Sequence, residues 1–358
     1  MLKKLDICTM SFANQLITWY KENGRDLPWR QTNDPYIIWL SEIILQQTRV
    51  EQGMPYFYKF VEEYPNVVMF ANAPEEDILR MWQGLGYYSR ARNMHKAAKY
   101  VVEHYDGNFP TKYEDVIQLN GVGEYTAAAI SSFSINEKRA VVDGNVYRVL
   151  SRYFGIETAI NSTKGKKEFT QLANDLISED EPGLFNQAIM DFGAVVCRPK
   201  VPLCESCVFR QECVALNNGL IESLPLKIKG KESRNRYFNY FIIQKENTVL
   251  MSKRGEGDVW TNLYEFPNIE TKEELDIPEL INLPEFKKYF GEAQIERIGA
   301  STKHVLSHQN IYANFYKLTT EVDIVEKKEY WDYYLSDNLD KLAKHKLIFS
   351  FINKYLMH

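Results

Sequence analysis

The sequence predicts a multidomain α and α+β protein, an all-α part followed by a part built on strands, and three observations carry that expectation. The chain has 358 residues, more than a typical single domain. From about residue 9 to 213, apolar residues recur at helical spacing between short polar breaks, and β-branched runs are scarce. After Pro225 the texture changes to short alternating runs, Tyr237 to Ile243, Val249 to Met251 and Ile311 to Tyr316, which read as strands with one or two helices. The boundary is expected near 220–235. Within the first half, Asn66 to Ala73 and Asp106 to Thr111 read as connections between helices.

Composition is that of an ordinary globular protein, 45% apolar and 25% charged, with no low-complexity stretch. Lys3 and Lys4 open the chain, but Leu5 to Thr9 lacks the apolar run of a signal peptide, and no later run spans a bilayer. A cytoplasmic protein with no membrane partner is therefore expected. Residues 1–230 hold 25 basic and 28 acidic residues and 231–358 hold 18 and 20, which accounts for the net charge of −5. Neither half is globally basic, so any nucleic-acid partner must be held by a local positive face. Lys227, Lys229, Lys231, Arg234 and Arg236 form one basic segment, which a solvated linker explains equally well.

Cys197, Cys204, Cys207 and Cys213 fall within 17 residues, with gaps of six, two and five. In a cytosolic chain such a group is rarely a set of disulfides, and thiolates this close make a metal site. Structural zinc more often uses two C-x-x-C pairs, whereas only one is present, so a 4Fe–4S cluster is the preferred reading and zinc the alternative. Arg198, Lys200 and Arg210 beside these cysteines offer cations to phosphate.

Asn120-Gly121-Val122-Gly123 runs into the good helix former Glu124 to Ile130. Glycines let the backbone turn tightly and expose N–H groups at a helix N-terminus, which suits a phosphate. A plain turn between helices has the same look. Tyr36 to Leu45 is apolar on every side, which marks a buried helix whose one carboxylate is Glu42. Burial raises a carboxyl pKa and suits it to donate a proton near neutral pH, unless a structural partner holds it. Asp143 precedes a helix of apolar period, where an aspartate commonly caps. A carboxylate fixed and kept ionised in that way can also stabilise positive charge on a sugar, or attack it.

Together these segments resemble the helix–hairpin–helix superfamily of DNA glycosylases, and within it the adenine DNA glycosylases of the MutY type. The match rests on Ser41-Glu42 followed by Leu45-Gln46-Gln47-Thr48-Arg49-Val50, on Val142-Asp143-Gly144-Asn145-Val146, and on Gly24-Arg25-Asp26-Leu27-Pro28-Trp29-Arg30. The resemblance implies an all-α helix–hairpin–helix glycosylase domain over 1–225 with an iron–sulfur loop at 197–213. It implies further a basic linker over 226–236 and a Nudix-like α+β lesion-recognition domain over 237–358.

It also implies a base-excision repair enzyme that hydrolyses the N-glycosidic bond of adenine mispaired with 8-oxoguanine or guanine. By resemblance, Glu42 protonates the departing adenine and Asp143 stabilises the oxocarbenium-like sugar or acts as nucleophile, with Asn145 supporting both. The related bifunctional enzymes carry a lysine two residues after Gly123. Tyr125 stands there, which implies a monofunctional glycosylase that leaves an abasic site. The same resemblance gives an adenine pocket of Arg25, Leu27, Trp29, Val50, Tyr125 and Gln187. Contacts to DNA or to the orphaned 8-oxoguanine fall to Arg30, Gln47, Thr48, Leu85, Tyr87, Gly121, Gly123, Ser307 and His308. Trp29 taken alone reads as core.

Asp258 to Pro267 is the clearest match in the second half, and the residues after Pro267 lack the Arg-Glu…Glu-Glu metal helix of an active Nudix site. Leu306 departs from the aromatic that usually precedes Ser307-His308. The partner implied is double-stranded DNA, bound by a monomer in the cytoplasm or on the bacterial nucleoid. Rival readings are another glycosylase of the superfamily, an iron–sulfur DNA-binding protein without catalysis, and a Nudix-type nucleotide hydrolase.

Overall fold

The computed structural model describes residues 2–230, 232–318 and 324–356, with side chains from Phe12 onward. Lys231 lies outside the described residues. The chain forms two compact units, one of residues up to Asn72 with Asn93–Lys229, the other of Ala73–Arg92 with Gly230 onward. The second unit thus includes a piece of the helical half.

The helical half comprises α1 (Leu2–Asn23), α2 (Pro35–Ile44), α3 (Val50–Glu63), α4 (Val67–Asn72), α5 (Glu75–Met81), α6 (Ser89–Tyr105), α7 (Tyr113–Val116), α8 (Glu124–Ile135), α9 (Gly144–Phe154), α10 (Thr163–Leu176), α11 (Pro182–Val195) and α12 (Val214–Asn217). The sequence expectation of a bare connection at Asn66–Ala73 is corrected by α4. Val67, Phe70 and Ala71 are buried there, and Asn66 accepts from the Met69 amide through its side chain, 3.0 Å. The prolines at 65 and 74 bound this helix; they do not replace it.

Two local signals place the helices that matter most. Asp34 caps α2 by accepting from the Tyr36 amide, with Pro35 at the first helical position. Its aliphatic and aromatic residues leave no polar face, so Tyr36 and Ile38 through Ile44 are all buried. Asp143 caps α9 through the amides of Asn145 and Val146, at 2.8 and 2.9 Å, and Gly155 ends it in the left-handed region. The core on which α9 packs contains Phe12, Leu16, Val146, Leu150, Phe185, Phe192 and Phe209. Phe209, inside the cysteine loop, stacks on Phe12 with ring centres 4.8 Å apart, so the loop is anchored to the core.

The second unit carries two sheets. One orders β5 (Asn268–Thr271), β1 (Arg234–Ile242), β8 (Gln309–Leu318) and β6 (Ile295–Arg297), with β7 (Thr302–Val305) also on β8. β1 and β8 are parallel, Arg234 opposite Gln309 through Ile242 opposite Lys317. The other sheet joins β2 (Gln244–Lys245), β3 (Thr248–Lys253) and β4 (Tyr264–Glu265), with β9 (Trp331–Leu335) on β3. Three α-helices are described here, α13 (Ile277–Ile281), α14 (Pro284–Phe290) and α15 (Lys346–Tyr355), one more than expected. Phe286, Tyr289 and Phe290 of α14 pack with Phe241 and Trp331 in the core of this unit.

Arg234 and Arg236, grouped in sequence with the basic linker, belong to β1. Arg236 is buried and paired with both Asp258 and Glu270 at 2.6 Å, so its charge is spent inside the fold. Within this unit Ala73–Arg92 is bound by side chains. Tyr88 donates to the Lys344 carbonyl at 2.9 Å, Arg92 to the Thr261 carbonyl at 2.8 Å, and Asn262 to Glu75 at 2.7 Å.

Candidate active site

Near the start of the helical unit, Leu27 and the short 3₁₀ turn Pro28–Arg30 meet α2, α3, α8, α9 and α11 around a cleft of about 410 Å³. The structure gathers in its wall Glu42, Tyr125, Asp143 and Asn145, together with Arg25, Leu27, Trp29, Val50 and Gln187. These residues come from six separate stretches of sequence. Trp29 is buried edge-on against Phe57, so core packing and cleft lining coincide in it.

Glu42 is buried in the last turn of α2, and Tyr125 donates to its Oε2 at 2.8 Å. Burial pushes the Glu42 carboxyl up to about 7, with nearby Asp143 adding to the rise against the opposing Tyr125 hydrogen bond and Arg30 charge. Tyr125 itself is pushed well above the usual phenol range by burial and by the carboxylates it faces, so it remains a donor. Asn145 donates from its side chain to Asp143 Oδ2 at 2.7 Å, while Oδ1 holds the two cap bonds. The cap was expected to keep Asp143 ionised. Burial nevertheless raises its pKa, and the three hydrogen bonds with Arg148 only partly oppose that rise.

Four residues absent from the sequence reading, Arg148, Gly193, Asp191 and Tyr20, hold the lining residues in place. Arg148 donates to Asn145 Oδ1 and to the Gly193 carbonyl, both at 2.8 Å, and to the Cys197 carbonyl at 2.7 Å. A side chain on Gly193 would collide with Asn145, its Cβ coming within 2.6 Å, so glycine there lets α11 lie against α9. Asp191, fully buried, holds Arg25 at 2.6 Å and Arg30 at 2.5 Å. Burial alone would raise its pKa, but these two guanidinium groups bring it below the usual carboxylate range. Tyr20 lies behind Gln187 and donates to its Oε1 at 3.0 Å. Asp191 had a legible signal, a lone carboxylate in the apolar helix Phe185–Phe192, the same pattern that singles out Glu42.

Arg30, expected from the resemblance to contact DNA, also has an internal partner. It lines the cleft as the buried partner of Asp191, because a buried carboxylate needs a countercharge. Gly121 and Gly123 stand at the turn before α8, Gly121 with φ of +77° and Gly123 as its N-cap. A Cβ on Gly121 would come within 2.7 Å of Asn93 Cβ, so the turn excludes other residues twice over. Thr48 reaches the cleft, and Gln47, exposed with φ of +56°, follows the end of α2.

The four cysteines are free thiols, all half-buried, after α11 and up to the start of α12. Burial raises Cys204, Cys207 and Cys213, Cys207 to about 11, and the charge of Cys197 raises each further. They are therefore near enough to act on one another. Arg152 points Nη1 at Cys197 Sγ, 3.5 Å away. Among the described residues no three Cys, His, Asp or Glu side chains close round a single metal ion, a convergence that a larger four-iron cluster does not require. The donor set, four thiols beside buried arginines, fits such an anionic cluster.

In the second unit β7 and β8 form a hairpin whose turn is Leu306-Ser307-His308, so the expected loop is a strand end and its turn. Tyr87 and Ser307 share a hydrogen bond of 3.1 Å, which joins two segments expected to meet the lesion. Ser307, His308 and Tyr87 are exposed, whereas Leu85 is buried. With Trp260 and His304 they border an open cleft of about 630 Å³.

Residues 40–178 match the HhH-GPD superfamily of base excision DNA repair proteins, and residues 239–354 match a NUDIX domain. The adenine DNA glycosylase of Buchnera aphidicola subspecies Acyrthosiphon pisum is 38% identical over 264 residues, covering 74% of this chain and 75% of that protein. The chain belongs to the adenine DNA glycosylases. That of Buchnera aphidicola subspecies Baizongia pistaciae is 35% identical over 308 residues, 86% of this chain and 85% of its own. A solved thermostable thymine-DNA glycosylase aligns with a TM-score of 0.55 at 31% identity, over 59% of this chain and 97% of its own. Like its family, the protein is a base-excision hydrolase acting on DNA, an adenine-specific N-glycosylase. No described helix is long and apolar enough to cross a membrane.

Proposed function

We propose that this glycosylase excises adenine opposite 8-oxoguanine or guanine in duplex DNA, leaving an intact strand with an abasic site. The observation that carries the reading is Tyr125 donating to buried Glu42 in the cleft that also holds Asp143. Chemistry on a base requires its extrusion from the stack, and the cleft offers the flipped adenine an apolar bed of Leu27, Trp29 and Val50. Glu42, with a pKa near 7, protonates adenine at N7, and the bond from C1′ to N9 breaks as its electron pair leaves with the base. Asp143, held by Asn145, stabilises the cationic sugar or bonds to C1′. A water molecule, giving its proton to Glu42, then completes the hydrolysis. Tyr125 offers no amine, so no Schiff base forms and the strand is not cut.

Gly121 and Gly123 expose backbone N–H groups to a phosphate. Cys197, Cys204, Cys207 and Cys213 hold a 4Fe–4S cluster, which supplies a rigid cross-link for the loop that presents Arg198 and Lys200 to DNA. Gln47, Thr48, Leu85, Tyr87, Ser307 and His308 read the orphaned base, and the enzyme acts as a monomer on the cytoplasmic nucleoid. The test is single-turnover cleavage of duplexes carrying adenine opposite 8-oxoguanine, guanine or thymine, with alkali added only after quenching. Alkali-dependent cleavage at adenine, fastest opposite 8-oxoguanine, is expected. Cleavage without alkali, or no preference among opposite bases, overturns the reading.

A further inference from the structure

Behind the cleft, a relay of hydrogen bonds runs from a buried charge to the side chain that faces the base. Asp191 accepts from Arg30 through two bonds, 2.6 and 2.5 Å. Arg30 Nη1 in turn donates to the Tyr20 hydroxyl at 3.1 Å, and the Tyr20 hydroxyl donates to Gln187 Oε1 at 3.0 Å. Each step fixes the next. Arg30 has only donors and cannot release its proton, so it fills a lone pair of the Tyr20 oxygen and leaves the phenol proton to be donated. Burial pushes the Tyr20 pKa up, which keeps that proton in place. Gln187 Oε1 receives it, and an amide whose oxygen is held turns its NH₂ the other way, into the cleft that Gln187 lines.

We propose that Tyr20 is a positioning residue for base specificity: it fixes the Gln187 amide so that a donor, not an acceptor, meets a ring nitrogen of the adenine six-membered ring. This rests on the reading of the cleft as the adenine site. Glu42 serves N7 in that reading, so the acceptors left for Gln187 are N1 and N3. Tyr20 lies outside the cleft lining and touches neither base nor sugar. Its effect passes wholly through Gln187.

The experiment compares single-turnover excision of adenine, 1-deazaadenine and 3-deazaadenine by the wild-type enzyme, Tyr20→Phe, Gln187→Ala and the double variant. Each deaza analogue replaces one acceptor by C–H. Its intrinsic lability is common to all four enzymes and cancels when their analogue-to-adenine ratios are compared. The wild-type enzyme should penalise one analogue, and in Tyr20→Phe that penalty should shrink by about tenfold, the worth of one hydrogen bond. Gln187→Ala should show the same loss, and the double variant should lose nothing more. A Tyr20→Phe ratio equal to wild type overturns the proposal. So does a Tyr20→Phe effect of equal size in the Gln187→Ala background, since Tyr20 would then act independently of the amide. Full activity in Glu42→Gln would instead remove the cleft itself as the active site, and this inference with it.

Discussion

The two clefts of this molecule differ in how their side chains are held. In the helical unit, Glu42 and Asp191 are buried and Asp143 half-buried, and each is tied by strong partners, Tyr125, two arginines and Asn145 respectively. In the strand unit, Tyr87, Ser307 and His308 are exposed, and a 3.1 Å bond between Tyr87 and Ser307 links the two segments. Proton transfer and charge stabilisation need a dry, fixed geometry, because an electrostatic interaction weakens steeply once water enters. A surface that inspects many base pairs needs access and quick release. In the proposed function, chemistry and recognition thus fall to regions of opposite character.

The sharpest way to test this contrast is to remove each carboxyl of the buried cleft. Glu42→Gln and Asp143→Asn should each lower single-turnover excision by roughly 10³-fold while DNA binding persists. Loss of binding in step with activity would show instead that the cleft had collapsed. Next in size is Asp191→Asn, which leaves Arg25 and Arg30 facing an amide. Breaking a buried pair costs about 3–5 kcal/mol, so the melting temperature should fall by roughly 10 °C. An unchanged melting curve would mean that the two arginines reach water.

Titration provides the third comparison. The folded protein holds Glu42 near 7, against about 4.3 in an unfolded chain. A raised folded pKa stabilises the fold fully below the unfolded value, and that contribution is lost as pH rises through about 7. Glu42→Gln should therefore gain stability over wild type between pH 4 and 8.5, by up to about 4 kcal/mol. Wild-type excision should fall across the same upper range as the proton donor is lost. A flat difference between the two melting curves would place the Glu42 pKa near its ordinary value. The smallest effect belongs to the exposed side: Ser307→Ala should slow excision opposite 8-oxoguanine by only about fivefold, and opposite guanine less. A larger loss than in the buried variants would reverse the contrast.

Much of the site was legible because its signals are local. A carboxylate in an apolar helix, an aspartate before a periodic helix, a Gly-x-Gly turn and four close cysteines each declare themselves within a few residues. The folded Arg236 shows the opposite case. In sequence it extends a basic run, yet its partners Asp258 and Glu270 lie 22 and 34 residues away, and only the sheet brings them within 2.6 Å. Tyr20 was hidden for the same reason, being separated from Gln187 by 167 positions. The inclusion of Ala73–Arg92 in the second unit had no sequence signal either, since Tyr88 and Arg92 bind backbone carbonyls, which every residue carries.

Sequence alone was enough to set the order of an all-α part and an α+β part, the buried helix that carries Glu42 and the cap position of Asp143. These come from periodicity, capping and spacing, which are properties of neighbours along the chain. Which groups face one another came only with folding: Tyr125 on Glu42, Arg30 on Asp191, Arg148 between Asn145 and the Cys197 carbonyl, and Tyr87 on Ser307. Burial and electrostatic pairing depend on distance in space, and burial is what moves Glu42 into the range where it can donate a proton.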